Sequence, residues 1–161
     1  MAVFLGIDPG LATVGFGVIR LQNKKPEFID AGIIKTSPGT PLQERLLEIK
    51  KDIDELIRIY QPDGAGVEEL FFAKNVTNAI QVAHARGVIL ERLAHHKIPL
   101  SEWTPLQVKN NICGHGQANK AQMQEMVKRL LDLNAPPNPD DAADALGIAI
   151  LASRLSEEIK I

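Results

Sequence analysis

One cysteine, Cys113, is present among 161 residues. It rules out an internal disulfide and any zinc site built on several thiolates, and it fits a reducing cytoplasm. Long apolar runs are also missing: the longest, Ala145–Ala152, is far too short to span a bilayer. No basic stretch precedes the first apolar residues, and Asp8 interrupts them, so no signal peptide is expected. The chain has no phosphate-binding loop of the form Gly-x-x-x-x-Gly-Lys-Ser/Thr, no repeat and no low-complexity tract. Nothing points to a Ser-His-Asp arrangement. His84, His95, His96 and His115 lack ligand-like spacing and read as structural or surface groups.

What is present is an ordinary globular balance, 45% hydrophobic and 24% charged, in a length that suits one domain over residues 1–161. The formal net charge is −2, which at first argues against a nucleic-acid partner. Two bound divalent cations would turn −2 into +2. Lys109, His115, Lys120, Lys128 and Arg129 crowd together in sequence, so a basic face is available for phosphate contact, or else a solvated helix face.

Hydrophobic periodicity predicts strands over 3–8, 14–21 and 27–35, with the polar turn Gln22–Pro26 between the second and third. Thr40, Pro41 and Gln43 read as N-cap, first helical residue and capping-box partner of a helix running to about residue 60. Pro62-Asp63-Gly64 ends it, and 65–69 read as a short strand. A helix is expected over 75–96, with Ala79, Ala83 and Gly87 forming a small-residue stripe for close packing, either within the chain or between two copies. A strand over 98–103, a short helix from Thr104-Pro105 to the loop Gly114-His115-Gly116, a helix over about 119–132 and a last helix launched by Asn138-Pro139 complete the pattern. An antiparallel N-terminal meander followed by alternating helices and strands predicts an α/β fold with a five-stranded mixed sheet.

The carboxylates carry the chemistry. Asp8 closes an apolar strand, Glu68 and Glu69 close another, and Asp140, Asp141 and Asp144 open the apolar helix Ala142–Leu155. Acids in a first helical turn are ordinarily stabilised by the helix dipole, by roughly 0.3–1 kcal/mol each, and Asp8 alone could be a turn residue. Their joint occurrence at three segment ends predicts that they meet around a cation, because an unpaired charge at such a place is costly to desolvate. Asp141 and Asp144 share a helix face, as could Asp140 and Asp144, whereas Glu68 and Glu69 point to opposite faces of a strand. Carboxylates on rigid elements suit Mg²⁺, and two such ions about 4 Å apart can activate a water and stabilise a leaving oxygen in phosphodiester hydrolysis.

Five ordered motifs resemble the RuvC family of Holliday junction resolvases: Gly6-Ile7-Asp8-Pro9-Gly10, Val67 to Asn75, Ala83-His84-Ala85-Arg86-Gly87, Gln107-Val108-Lys109 and Asp141-Ala142-Ala143-Asp144-Ala145-Leu146. The resemblance implies an RNase H-like fold with helices on both faces of the sheet. It implies a homodimer acting in DNA recombination and repair, which nicks opposed strands of a four-way junction and leaves 5′-phosphate and 3′-hydroxyl ends. It further implies two Mg²⁺ per site, replaceable by Mn²⁺, and a RuvA–RuvB branch-migration motor as partner. By the same resemblance Asp8, Glu68, Asp141 and Asp144 correspond to metal-binding catalytic carboxylates, with Asp140 as the alternative to Asp141. Lys109 and Lys120 correspond to basic residues that act near the scissile phosphate, Phe71 to an aromatic that stacks at the opened crossover, and Lys74 and Arg86 to DNA-backbone contacts. Two other readings stand beside it: an RNase H-like nuclease with another nucleic-acid substrate, and a junction-binding module without catalysis. An actin-like ATPase or sugar kinase is disfavoured, because the turn Asp-Pro-Gly-Leu lacks the usual hydroxyl residue and 161 residues cannot form two lobes around a nucleotide.

Overall fold

The computed structural model describes residues 1–70 and 75–158. Five strands, β1 (Ala2–Asp8), β2 (Thr13–Gln22), β3 (Lys25–Lys35), β4 (Gly64–Glu68) and β5 (Leu100–Trp103), form one sheet in the order β3-β2-β1-β4-β5. The β1–β2 and β2–β3 ladders are antiparallel, and β1–β4 and β4–β5 are parallel. Helices α1 (Leu42–Tyr60) and α2 (Val76–His95) cover one face; α3 (Pro105–Cys113), α4 (Lys120–Leu130) and α5 (Asp140–Glu158) cover the other. This mixed sheet with helices on both sides is the expected RNase H-like fold.

Period-two alternation divides each central strand between two cores. Leu5 and Ile7 of β1, with Ala65 and Val67 of β4, pack against Ile49, Ile53, Ile89 and Leu93 of α1 and α2. The alternate positions Gly6, Gly66, Gly15 and Gly17 face α5. A Cβ on Gly6 would clash with the carbonyl oxygen of Ala145 and stand 2.5 Å from the amide nitrogen of Ala149. One on Gly17 would lie 2.6 Å from the amide nitrogen of Leu146, and one on Gly66 2.8 Å from Ile148 Cγ2. Gly15 touches the backbone of Asp141 in the same way. The glycines thus form a floor on which the helix rests backbone to backbone. Ala142, Ala145, Ala149 and Ala152 keep the helix side of that contact thin. Residues Ala142–Ser153 are all buried except Asp144, which explains why α5 is apolar around its circumference.

Two local expectations are corrected. Thr40 is not the N-cap of α1: Pro41 holds that place with no side-chain cap, because the Thr40 hydroxyl donates to the Ser37 carbonyl (2.7 Å) in the preceding turn. The β2–β3 turn is only Asn23-Lys24, both at positive φ (52° and 64°), as a two-residue type I′ hairpin requires. The stripe on α2 is split. Ala79 is buried, but Ala83 and Gly87 are exposed, and no atom among the described residues lies within 4 Å of a Cβ built on Gly87. Packing among the described residues therefore accounts for Ala79 but not for Ala83 and Gly87.

Gly6→Ala should lower Tm by several degrees, since overpacking costs about 1–3 kcal/mol and each kcal/mol moves Tm by ~2–4 °C in a domain of this size. Gly87→Ala should leave it unchanged or raise it. Thermal melts of the two variants check the floor directly; an unaffected Gly6→Ala protein would contradict the backbone-to-backbone contact.

Candidate active site

The floor decides which side chains meet. Asp8 follows Gly6 by two residues on β1, and Glu68 follows Gly66 by two on β4, so both side chains emerge on the α5 face at neighbouring strand ends. Asp141 and Asp144 leave the first turns of α5 directly above them. One carboxylate oxygen from each of Asp8, Asp141 and Asp144 lies within 4.8 Å of the others. Glu68 joins the group through a hydrogen bond between its carboxyl and that of Asp8. Thr13, on the same face of β2 as Gly15 and Gly17, donates its hydroxyl to Asp141 Oδ2 (3.3 Å) and orients that group.

This arrangement is electrostatically unfavourable by itself. Burial pushes the Asp8 carboxyl well above the usual range, and its hydrogen bond to Glu68 and the charges of Glu68, Asp144 and Asp141 push it further. Burial likewise raises Asp144, to about 7, with Glu68, Asp141 and Asp140 adding and Lys120 opposing. Glu68 is raised by burial and by Asp141, against the hydrogen bond from Asp8 and the charge of Lys109. Two carboxylates 4.8 Å apart repel by about 3 kcal/mol at an effective dielectric near 20. That exceeds the helix-dipole stabilisation of roughly 0.3–1 kcal/mol, so the dipole does not account for the cluster. A divalent cation would. The donors are all hard carboxylate oxygens with no thiolate or imidazole among them, a set that fits Mg²⁺ or Mn²⁺.

Asp140 points elsewhere. It pairs with Lys120 Nζ (3.2 Å) and accepts from Gln124 Nε2 (3.0 Å), so the geometry groups Asp141, not Asp140, with Asp8 and Asp144. Gln124 also donates to the Pro137 carbonyl (3.1 Å), anchoring the turn before α5. Lys120 is the first residue of α4, set by the reciprocal capping box of Asn119 and Gln122. Its side chain is 80% exposed. Lys109, on α3, and Lys120 line a cavity of about 400 Å³ together with Glu68, Asn119 and Asp144. Two cations therefore stand on the open side of the acidic cluster.

Phe71 and Lys74 lie outside the described residues. Arg86, expected as a DNA-backbone contact, makes two bonds within the chain. Its side chain is only 17% exposed, with Nε donating to the Glu68 carbonyl (3.0 Å) and Nη2 pairing with Glu102 Oε1 on β5 (2.6 Å). Glu69 turns its backbone N–H to the Trp103 carbonyl (2.8 Å) and extends the ladder past Glu68. Of the histidines, His96 lies beside Asp54 (3.0 Å) and packs edge-on against His95, far from the acids in the fold, and His84 and His115 are exposed.

Sequence reasoning missed Thr13 and the glycine floor. The available signal was the spacing Thr13, Gly15, Gly17 on one strand face, paired with Gly6 and Gly66 two residues before the acids.

The sequence model of the RuvC family, crossover junction endodeoxyribonuclease RuvC, matches residues 4–152. Among similar curated proteins, crossover junction endodeoxyribonuclease RuvC of Alkaliphilus metalliredigens is 49% identical over 148 residues, covering 92% of this chain and 90% of the relative. Its counterpart in Chloroflexus aurantiacus is 51% identical over 146 residues, covering 91% and 89%. The structure of T. thermophilus RuvC in complex with a Holliday junction substrate superposes with a TM-score of 0.90 at 33% identity, covering 98% of this chain and 96% of that one. The yeast mitochondrial Holliday junction resolvase Ydc2 shares the fold, with a TM-score of 0.68 at 16% identity over 98% and 81% of the two chains.

The raised carboxyls set the sign of a pH effect. A group whose folded-state pKa lies above its unfolded value (3.8 for Asp) destabilises the fold when ionised, so the metal-free protein should gain stability as pH falls from about 7 toward 4. Mg²⁺ should raise Tm at pH 7.5 and do so less at pH 5.5. Asp8→Asn should raise the Tm of the metal-free protein and abolish most of the response to Mg²⁺. Melts in EDTA and in Mg²⁺ at the two pH values measure this; a metal response independent of both pH and Asp8 would contradict the site.

Proposed function

The chain belongs to the RuvC family of crossover junction endodeoxyribonucleases, and from that premise we propose that it resolves four-way DNA junctions by symmetric, metal-dependent hydrolysis of opposed strands. The observation that carries the proposal is the convergence of Asp8, Asp141 and Asp144 to within 4.8 Å, with Glu68 bonded to Asp8, beneath a cavity lined by lysines. The products are nicks with 5′-phosphate and 3′-hydroxyl ends.

Asp8, Glu68, Asp141 and Asp144 hold the cations, two Mg²⁺ per site with Mn²⁺ as a substitute. Magnesium bound there would supply an activated water at neutral pH and charge stabilisation for the leaving oxygen. The four carboxylates do not attack the phosphate; they fix donor oxygens from two strands and one helix, so little reorganisation accompanies the reaction. Thr13 keeps Asp141 in orientation through its hydroxyl. Lys109 and Lys120 face the same cavity, where their compact charges contact the scissile phosphate and stabilise negative charge as it develops. They also counter the repulsion between the acidic cluster and an incoming backbone. Phe71, from the segment after β4, stacks on bases at the opened crossover, where such stacking contributes about 1–3 kcal/mol per base. Lys74 follows it as a backbone contact.

Two opposed cuts require two sites, and we read the active unit as a homodimer. The exposed α2 face of Val76, Ile80, Ala83 and Gly87 supports this: it is apolar, small in its centre and unpacked by any described part of its own chain. A RuvA–RuvB motor is the proposed partner in recombination and repair, and the compartment is the cytoplasm. The chain acts as one domain over residues 1–161.

The test is incubation with a synthetic four-way junction and with a linear duplex of the same sequence, in Mg²⁺ and then in EDTA. Symmetric nicks should appear in the junction alone and only with metal. Asp8→Asn and Glu68→Gln should lower the rate more than about a hundredfold, well beyond the loss expected from disturbing an outer partner, while leaving junction binding intact. Glu69→Gln should stay near wild type, and Ile80→Asp should sediment as a monomer. Equal nicking of the linear duplex, or cleavage that survives EDTA, would overturn the proposal.

A further inference from the structure

Glu68 is the last residue of β4, where the sheet ladder runs out for its carbonyl oxygen. The β1–β4 ladder stops at Ile7 and Val67, whereas the β4–β5 ladder continues to Glu68 and Trp103. On the β1 side the residue next in register is Pro9, which has no N–H, so the sheet offers the Glu68 carbonyl no donor there. The side chain of Arg86 reaches this point from α2. Its Nε donates to the Glu68 carbonyl oxygen at 3.0 Å, and its Nη2 pairs with Glu102 Oε1 at 2.6 Å. Arg86 is 17% exposed and Glu102 42%, so the guanidinium is held largely inside the protein and its carboxylate partner sits at the rim. One planar fork thus joins three elements: the helix α2, the strand end that carries Glu68, and the edge strand β5.

From this juxtaposition we propose that Arg86 is a positioning residue that fixes the Glu68 peptide, and through it the Glu68 carboxyl, for cation binding. The proposal rests on the reading of Glu68 as a metal-binding carboxylate. A guanidinium makes both bonds from two rigidly spaced nitrogens, a geometry that the single nitrogen of a lysine ammonium does not reproduce. Loss of the fork leaves the carbonyl without this donor, and the Glu68–Glu69 peptide is then held only from the β5 side, by the Glu69 N–H on the Trp103 carbonyl. The Glu68 side chain would then meet Asp8 and the cation in a spread of orientations. Groups that orient a metal-binding side chain typically change metal affinity by about 10–100-fold when removed. The same residue acting as a DNA-backbone contact would behave differently: its loss would weaken junction binding and leave the metal response alone.

Three variants separate these roles, Arg86→Gln, Arg86→Lys and Glu102→Gln, each measured in three ways: Tm as a function of Mg²⁺ or Mn²⁺ concentration without DNA, junction affinity in EDTA, and the Mg²⁺ dependence of junction cleavage. Arg86→Gln should shift the metal concentration for half-maximal stabilisation and for half-maximal cleavage upward by about tenfold, with junction affinity unchanged. Arg86→Lys should show nearly the same shift although it keeps the charge. Glu102→Gln should show a smaller shift in the same direction. Weakened junction binding restored by Arg86→Lys, with an unchanged metal response, would overturn the proposal in favour of a phosphate contact. A lowered Tm with an unchanged metal response would reduce Arg86 to packing. If Arg86→Gln does not fold, Glu102→Gln decides: an unchanged metal response there overturns the proposal. Wild-type protein that fails to cleave the junction would instead refute the functional reading, independently of Arg86.

Discussion

The backbone-to-backbone contact of α5 with the sheet is the constraint on which the rest of the molecule depends. A helix normally stands off a sheet by the thickness of two layers of side chains. Here Gly6, Gly15, Gly17 and Gly66 remove one layer, and Ala142, Ala145, Ala149 and Ala152 thin the other. The helix sinks until its main chain meets the strands. Its first turns then deliver Asp141 and Asp144 to the ends of β1 and β4, where Asp8 and Glu68 wait on the same face. The acids are close because the helix is low, and the helix is low because four strand positions carry no side chain.

Proximity has an electrostatic consequence. Carboxylates gathered this tightly and partly withdrawn from water hold protons above their ordinary range, as Asp8 and Asp144 do. The packing energy of the helix on its glycine floor opposes the repulsion and holds the cluster in place for a cation. The lysines are arranged at a remove: Lys120 leans on Asp140 outside the cluster, and Lys109 reaches the same cavity from α3. Neither cation pairs directly with Asp8 or Asp141 in the described contacts, so the cluster remains available to metal and the lysines to phosphate.

Much of this was legible in the sequence. Periodicity together with cap and proline signals placed the five strands and five helices of the described residues, and the ends of three apolar segments marked the acids. The motifs shared with the RuvC family placed the chain in its family. The failures have physical causes. Thr40 has the right side chain for an N-cap, but a turn that begins at Ser37 takes its hydroxyl first. Asn23-Lys24 carries no glycine, so the tight turn was read as a longer one. The strand glycines carried no signal of their own, because their purpose lies in a helix far along the chain. For Arg86 the sequence shows only a charge within a shared motif, and coordinates add the carbonyl and Glu102 that it contacts. The stripe Ala79-Ala83-Gly87 was ambiguous for a related reason: periodicity reports a face, not what covers it.

The most direct measurement is anomalous diffraction from crystals grown or soaked with Mn²⁺. The account predicts manganese density bounded by carboxylate oxygens of Asp8, Glu68, Asp141 and Asp144, with Asp140 still paired to Lys120 and α5 still seated on the glycine floor. Manganese bound only elsewhere, or those four carboxylates turned away from one another at saturating metal, would contradict it.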